Sequence, residues 1–281
     1  MKIGIVGLGL IGASLAGDLR QLGHIVLGTS RQVATCELAI KRGLVDEAGT
    51  ELDILAQMEA IMICTPIANI LPTVAELAKF IAPGTLVTDA GSVKGAIVAA
   101  ATQIWPHFVG GHPMAGKAES GIDAAELGMF RDQPYVITPV AETVESSIEQ
   151  LASLVNAMGA RLYYATPAEH DQAVAWISHL PVIVSGSLIN ACVANSDTQG
   201  LQLAKDLASS GFKDTSRVGG GNPELGLMMA RYNRAELLRA LAGYQQDLAE
   251  TVRSIEQEDW EGLRSKLEQN QANRPGFLPP T

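Results

Sequence analysis

Two stretches of this chain combine residue types that could do chemistry. Gly110-Gly111-His112-Pro113-Met114-Ala115-Gly116 sets a histidine among glycines and a proline, just after an apolar run. An imidazole with an unperturbed pKa of about 6.5 is mostly neutral near pH 7 and can accept a proton. The alternative is a solvated turn residue. The other stretch is Gly7-Leu8-Gly9-Leu10-Ile11-Gly12. Gly7 permits a tight turn, Gly9 lets a pyrophosphate approach the backbone, and Gly12 allows close helix packing, with the helix start at Leu10 and Ile11 facing the phosphates. The hexapeptide follows a strand-like run and opens a helical one that a second strand follows. That context makes it a dinucleotide fingerprint rather than glycines merely tightening a turn.

The end of the second strand bears on which dinucleotide. An NAD site usually places Asp or Glu there, about 20 residues after the glycines, to bind the ribose hydroxyls. This chain has Gly28-Thr29-Ser30-Arg31 instead. No carboxylate repels a 2′-phosphate, and Ser30 and Arg31 could donate to one, which favours NADP. The competing reading has Ser30 cap the next helix and Arg31 solvated. Ligands of such sheets bind beyond the carboxyl ends of the strands. Cys64-Thr65-Pro66, Asp89-Ala90-Gly91-Ser92 and Gly110-Gly111-His112 should therefore converge on the nicotinamide, with Ser92 also able to cap a helix.

The elements that position these residues follow a pattern. Apolar strand candidates at 2–6, 24–28, 60–64, 85–89, 107–110 and 135–138 alternate with amphipathic helices, two of them closed by Gly23 and Gly43. Such runs imply an α/β, doubly wound, mostly parallel sheet covered on both faces. From about 166 the chain reads as helix. Thr166-Pro167-Ala168-Glu169 is a capping box with proline at the first helical position, and Asn233-Arg234-Ala235-Glu236 a second such start. The run it opens, to about Glu258, would be on the order of 36 Å long. Its apolar positions, including Leu237, Leu238, Leu241, Leu248, Val252 and Ile255, need a cover that a small domain cannot supply, which predicts a homodimer. The expected organisation is a Rossmann domain over 1–165 and a helical substrate-binding and dimerisation domain over 166–281, ending in a loose Pro-rich tail, Arg274–Thr281.

The 281 residues are 47% hydrophobic and carry a formal net charge of −10 with no basic run, which argues against a nucleic-acid surface. The N-terminal residues lack a convincing cleavage site, and no uncharged apolar run of about 18 residues suggests a membrane span. Cys36, Cys64 and Cys192 are scattered and odd in number, so neither a disulfide framework nor a zinc site is indicated, and a reducing cytoplasm is expected. His170 and His179, nine apart, should lie on opposite helix faces and cannot share a metal.

Taken in order, GLGLIG, Thr65-Pro66, Asp89-Ala90-Gly91-Ser92-Val93-Lys94, His112-Pro113-Met114-Ala115-Gly116 and Ser178-His179-Leu180-Pro181 resemble the prephenate/arogenate dehydrogenase family of tyrosine biosynthesis. One departure is Lys117-Ala118, where the family often has Thr-Glu. The resemblance implies an NADP-dependent oxidative decarboxylation of a cyclohexadienol, arogenate or prephenate. His112 matches the family's catalytic histidine and Ser92 the serine that hydrogen-bonds the same hydroxyl. His179 matches a substrate-contacting histidine, and Arg217 resembles the arginine that grips a substrate carboxylate, which a planar guanidinium suits.

Each role has a plainer counterpart: His179 as a core histidine beside the Pro181 kink, Arg217 as an ion-pair partner of Asp214. A β-hydroxyacid dehydrogenase would share the architecture but rely on a second-domain lysine, for which Lys213 is the candidate. A non-catalytic NADP sensor is the other rival. The NADP-like loop and the absence of an appended regulatory region point to arogenate over prephenate, by family association rather than physics.

Overall fold

The computed structural model describes residues 1–117, 119–195 and 197–278, with the backbone alone at Asn195. Its first part runs β1 (Lys2–Val6), α1 (Leu10–Gln21), β2 (Ile25–Thr29), α2 (Val33–Lys41), β3 (Glu47–Gly49), β4 (Ala60–Ile63), α3 (Ile67–Leu77), β5 (Leu86–Asp89), α4 (Val98–Ile104), β6 (Phe108–Pro113), β7 (Pro134–Thr138), α5 (Glu145–Ala157) and β8 (Arg161–Tyr164). The strands form one sheet in the order β3-β2-β1-β4-β5-β6-β7-β8. Pairing is parallel except between β6 and β7. Successive residues of a strand serve opposite faces: Ala60 and Met62 of β4 pack with α1 and α5, Ile61 and Ile63 with α3 and α4. Burial on both faces is why these strands read as continuous apolar runs.

The expected α/β architecture is present, and Gly23 and Gly43 hold φ of +84° and +66° after α1 and α2. Two strands lack the expected signal. β3 is only Glu-Ala-Gly, and β8 at the other edge leaves Tyr163 and Tyr164 exposed, so neither shows the apolar run of a doubly covered strand. A third difference concerns the glycines before His112. They do not end a strand, because β6 continues to Pro113, with His112 opposite Val136 of β7. A Cβ at Gly110 would lie 2.4 Å from Thr138 Oγ1, and one at Gly111 2.8 Å from the Asp89 carbonyl oxygen. Close packing, not a turn, requires both.

The helical part runs α6 (Pro167–Val174), a π-helical turn (Ala175–His179), α7 (Leu180–Asn195), α8 (Thr198–Leu207), α9 (Ser210–Ser216), α10 (Pro223–Tyr232), α11 (Arg234–Glu256) and α12 (Trp260–Asn273). The Thr166 capping box forms: Thr166 Oγ1 accepts from Glu169 N at 3.2 Å and the Glu169 carboxylate from Thr166 N at 2.8 Å. Asn233 does not repeat it, because its side-chain amide nitrogen is turned to Asp171 and His179. The tail is not loose throughout, since Arg274–Phe277 forms a 3-10 turn; Pro279, Pro280 and Thr281 lie outside the described residues. By packing, the chain divides into Met1–Arg234 and Ala235–Thr281, a division later than the change of pattern at 165. Within the second unit, Lys266 Nζ bonds Asp247 Oδ1 of α11 at 2.8 Å and the Asp259 carboxylate caps α12.

One helical stretch, Pro167–Ala194, is long and apolar enough to cross a membrane by length and composition alone, contrary to the expectation that none would be. It holds His170, Asp171 and His179, all buried in the first unit.

Candidate active site

The β1–α1 turn is shaped as the fingerprint requires. Gly7 sits at φ +97°, where a Cβ would also meet the Cys64 carbonyl oxygen at 2.9 Å. A Cβ on Gly12 would fall 1.9 Å from the Gly7 carbonyl oxygen, so the first turn of α1 packs directly on the loop. Gly9 differs: among the described residues nothing lies within 4 Å of a Cβ there, and it is the N-cap of α1 with no side chain on the free amides and no acid in the first turn. An open cradle at an uncapped helix start fits a pyrophosphate. Leu10 and Ile11 open α1 half-buried. Burial pushes the Cys64 thiol up to about 12, so Cys64 packs against this turn as a neutral group.

At the end of β2, Ser30 Oγ accepts from Gln32 N at 3.4 Å, and Arg31 is exposed with no ion pair among the described residues. At the ends of β4 and β5, Thr65 Oγ1 and Ser92 Oγ are buried without a hydrogen-bond partner among the described residues. Pro66 is the exposed N-cap of α3, and the buried Gly91 donates its N–H to Asp89 Oδ2 at 2.9 Å. Unpartnered hydroxyls beside a dinucleotide cradle are polar groups that a ligand would satisfy.

Beneath His112 lies a buried ion pair. Lys94 Nζ bonds the Asp89 carboxylate and donates to the Gly111 carbonyl oxygen at 2.7 Å, while Asp89 Oδ1 accepts from Gly111 N at 3.2 Å. The pair thus grips the backbone unit next to His112. The Tyr135 hydroxyl packs at the same glycine and bonds the Thr88 side chain. The His112 ring contacts a second histidine: Nδ1 lies 2.8 Å from His170 Nε2, and His170 Nδ1 lies 2.8 Å from Asp171 Oδ1. Burial first, then the electrostatic influence of His170, Lys94 and His179, holds the His112 pKa well below its ordinary value. His179 is fully buried, with its pKa lowered by burial to about 4 and its Nε2 without a partner. The site therefore offers a neutral imidazole able to accept a proton, near a second neutral imidazole.

A family model for the prephenate dehydrogenase nucleotide-binding domain matches residues 15–164, and one for the prephenate dehydrogenase dimerization domain matches residues 166–269. The chain belongs to the prephenate dehydrogenase family. It is 32% identical to a prephenate dehydrogenase of Bacillus subtilis over 266 residues, covering 92% of this chain and 71% of that protein. Among solved structures it resembles an arogenate dehydrogenase of Synechocystis, with 52% identity, TM-score 0.88, and coverage of 99% of this chain and 100% of that one. It also resembles prephenate dehydrogenase of A. aeolicus in complex with hydroxyphenyl propionate and NAD+, with 25% identity, TM-score 0.93, and coverage of 99% and 98%. This member of the prephenate dehydrogenase family is accordingly an oxidoreductase with a nucleotide-binding domain.

Within this prephenate dehydrogenase fold, the residues singled out from sequence fall into two groups. Ser92, His112 and His179 come together: the Ser92 backbone and His170 both act on His179, and His179 acts on His112. Arg217, on a 3-10 turn, and Lys213, on α9, are exposed, and Arg217 makes no ion pair with Asp214 among the described residues. The turn is nonetheless anchored, since Gly219 N donates to Ser185 Oγ of α7 at 2.8 Å. Lys117 pairs with Glu126, and Ala118 lies outside the described residues.

His170 and His179 do not point apart. The π-helical turn between them takes up an extra residue and changes the phase of everything after it, bringing both to bear on His112. Sequence reasoning missed His170, Asp171, Lys94 and Asn233. The signal for the first two was a His-Asp pair one turn into a securely capped helix. Lys94 had only its place five residues after Asp89.

Proposed function

We propose that the protein is an NADP-dependent arogenate dehydrogenase, converting L-arogenate to L-tyrosine and CO2, with His112 as the base. The observation that carries the reading is a neutral, buried His112 held against His170, with the Ser92 hydroxyl after β5 left without a partner among the described residues. When bound, the nicotinamide supplies the hydride acceptor. His112 takes the proton of the ring hydroxyl, a step typically contributing on the order of 10²–10⁴ in rate. Ser92 holds the same oxygen, and His179 supplies a further polar contact. Once CO2 has left, the aromatic ring's oxygen regains a proton from His112, so the base is restored without net proton release. Arg217 is the proposed partner of a substrate carboxylate. Gly7, Gly9, Leu10, Ile11 and Gly12 form the proposed phosphate cradle, and Cys64, Thr65, Pro66 and Gly91 the wall beside the nicotinamide.

Two observations support the finer choices. Ser30 and Arg31 stand where an NAD site would carry a carboxylate, and the Synechocystis arogenate dehydrogenase is 52% identical. Prephenate is the second reading, favoured by the Bacillus subtilis relative and by a Lactococcus lactis prephenate dehydrogenase that is 30% identical. The division at 165 into dinucleotide-binding and helical domains, a homodimer built on the latter, and a cytoplasmic location belong to the same proposal. Steady-state kinetics with both substrates and both cofactors test it. The expected result is a higher kcat/KM for arogenate with NADP; a higher value for prephenate overturns the substrate, and one for NAD the cofactor. His112→Ala is expected to lower kcat by about 10²–10⁴.

A further inference from the structure

One buried network centred on Asp171 reaches both histidines of the site. We propose that it fixes them in opposite tautomers, so that His112 presents the Nε2 lone pair as an acceptor and His179 presents Nε2–H as a donor. The inference rests on the reading of His112 as the base. The Asp171 carboxylate already accepts backbone N–H groups, from Lys94 at Oδ1 and from Gly95 at Oδ2, both at 2.8 Å. As an acceptor it makes the 2.8 Å contact with His170 Nδ1 a donation from the imidazole. With its one proton at Nδ1 in the scheme proposed, His170 has a lone pair at Nε2. The 2.8 Å contact between that atom and His112 Nδ1 must be an N–H given by His112, whose own lone pair is left at Nε2.

The second branch starts from the Asp171 main chain. A carbonyl oxygen can only accept, so the Asn233 atom 2.7 Å from it is the NH2 group, which decides the orientation of that amide. The same nitrogen lies 3.1 Å from His179 Nδ1, which therefore accepts. The His179 proton is at Nε2, an atom buried without a hydrogen-bond partner among the described residues. The groups facing the pair are His170 and Asp171 of α6, Lys94 after β5 with Asp89 behind it, and the Ser92 backbone. Burial favours the neutral form of both rings, which the two tautomers require. A ligand oxygen that gives up a proton is thereby directed to His112, and a group bearing lone pairs to His179. His170, Asp171 and Asn233 are positioning residues in this scheme.

The test is 15N NMR of the full chain carrying 15N-labelled histidine at pH 7.5, with His112→Ala and His179→Gln used for assignment. The expected spectrum has a protonated Nδ1 and a bare Nε2 for His112, and the reverse for His179. The same tautomer at both, or the two exchanged, overturns the proposal. Kinetics give a second arm. His170→Leu removes the acceptor and should lower kcat about a hundredfold with KM within about threefold, while His170→Gln, which keeps an acceptor oxygen, should recover about tenfold of the loss. Equal losses in the two variants overturn the role of His170. If the Leu variant does not fold, the wild-type spectrum decides alone. Full activity in His112→Ala would instead remove the reading of His112 as the base, whatever the spectrum shows.

Discussion

His112 can act as a base because its surroundings keep it uncharged. It is a strand residue whose ring is buried among His170, Lys94 and His179, each of which disfavours a proton on it. An ordinary histidine is half protonated near pH 6.5, so the acid limb of kcat/KM is expected below that value; a limb at or above it would contradict the buried, neutral imidazole. The same shifts link to stability. The folded pKa of both His112 and His179 is lowered, so between pH 6.5 and about 4, the folded value for His179, the unfolded chain binds protons that the folded one does not. Stability is therefore complete above about pH 6.5 and falls as the pH drops through that window. At pH 5, His179 alone should cost on the order of 2 kcal/mol relative to pH 7.5, read from urea melts at the two pH values.

At the scale of elements, glycines and one ion pair shape the site. Gly12 lets α1 start against the β1–α1 turn, and Gly12→Ala should weaken nicotinamide dinucleotide binding at least tenfold by calorimetry, because its Cβ would overlap the Gly7 carbonyl oxygen. The Lys94–Asp89 pair, fully buried, holds the β6 backbone before His112. Lys94→Met leaves a buried carboxylate without its cation, and a loss of about 3–5 kcal/mol in urea unfolding is expected. Most of these elements were legible: the apolar runs, the glycine fingerprint and the Thr166 cap each carry a local physical cause. The extension of β6 through His112 was not, because it depends on pairing with β7, whose partner residues lie more than twenty positions away. The convergence of His170 and His179 was hidden for a similar reason, since a periodicity of 3.6 assumes an unbroken helix and a π-helical turn intervenes.

At the scale of the whole molecule, the helical half exposes apolar side chains. Leu248, Val252 and Ile255, spaced to share a face of α11, are each 45–49% exposed, and Trp176, Ile177 and Val193 of the 167–194 stretch are similarly open. Apolar surface of this kind marks an interaction site, and the family model over 166–269 is that of a dimerization domain. For the proposed homodimer, a double variant, Leu248→Glu with Ile255→Glu, is expected to shift the mass from dimer to monomer in light scattering coupled to size exclusion. An unchanged mass would place the interface elsewhere.

By itself the sequence determined the alternation of strand and helix, the glycine-rich β1–α1 turn and the residue types available to the chemistry. These are written in local spacing: period, caps, and glycines where no Cβ is tolerated. Only the tertiary structure decided which groups surround His112. Asp89, Lys94, His170, Asp171, His179 and Asn233 come from five separate parts of the chain. Their hydrogen bonds and shared burial, which set the charge of that imidazole, exist only once those parts are packed together.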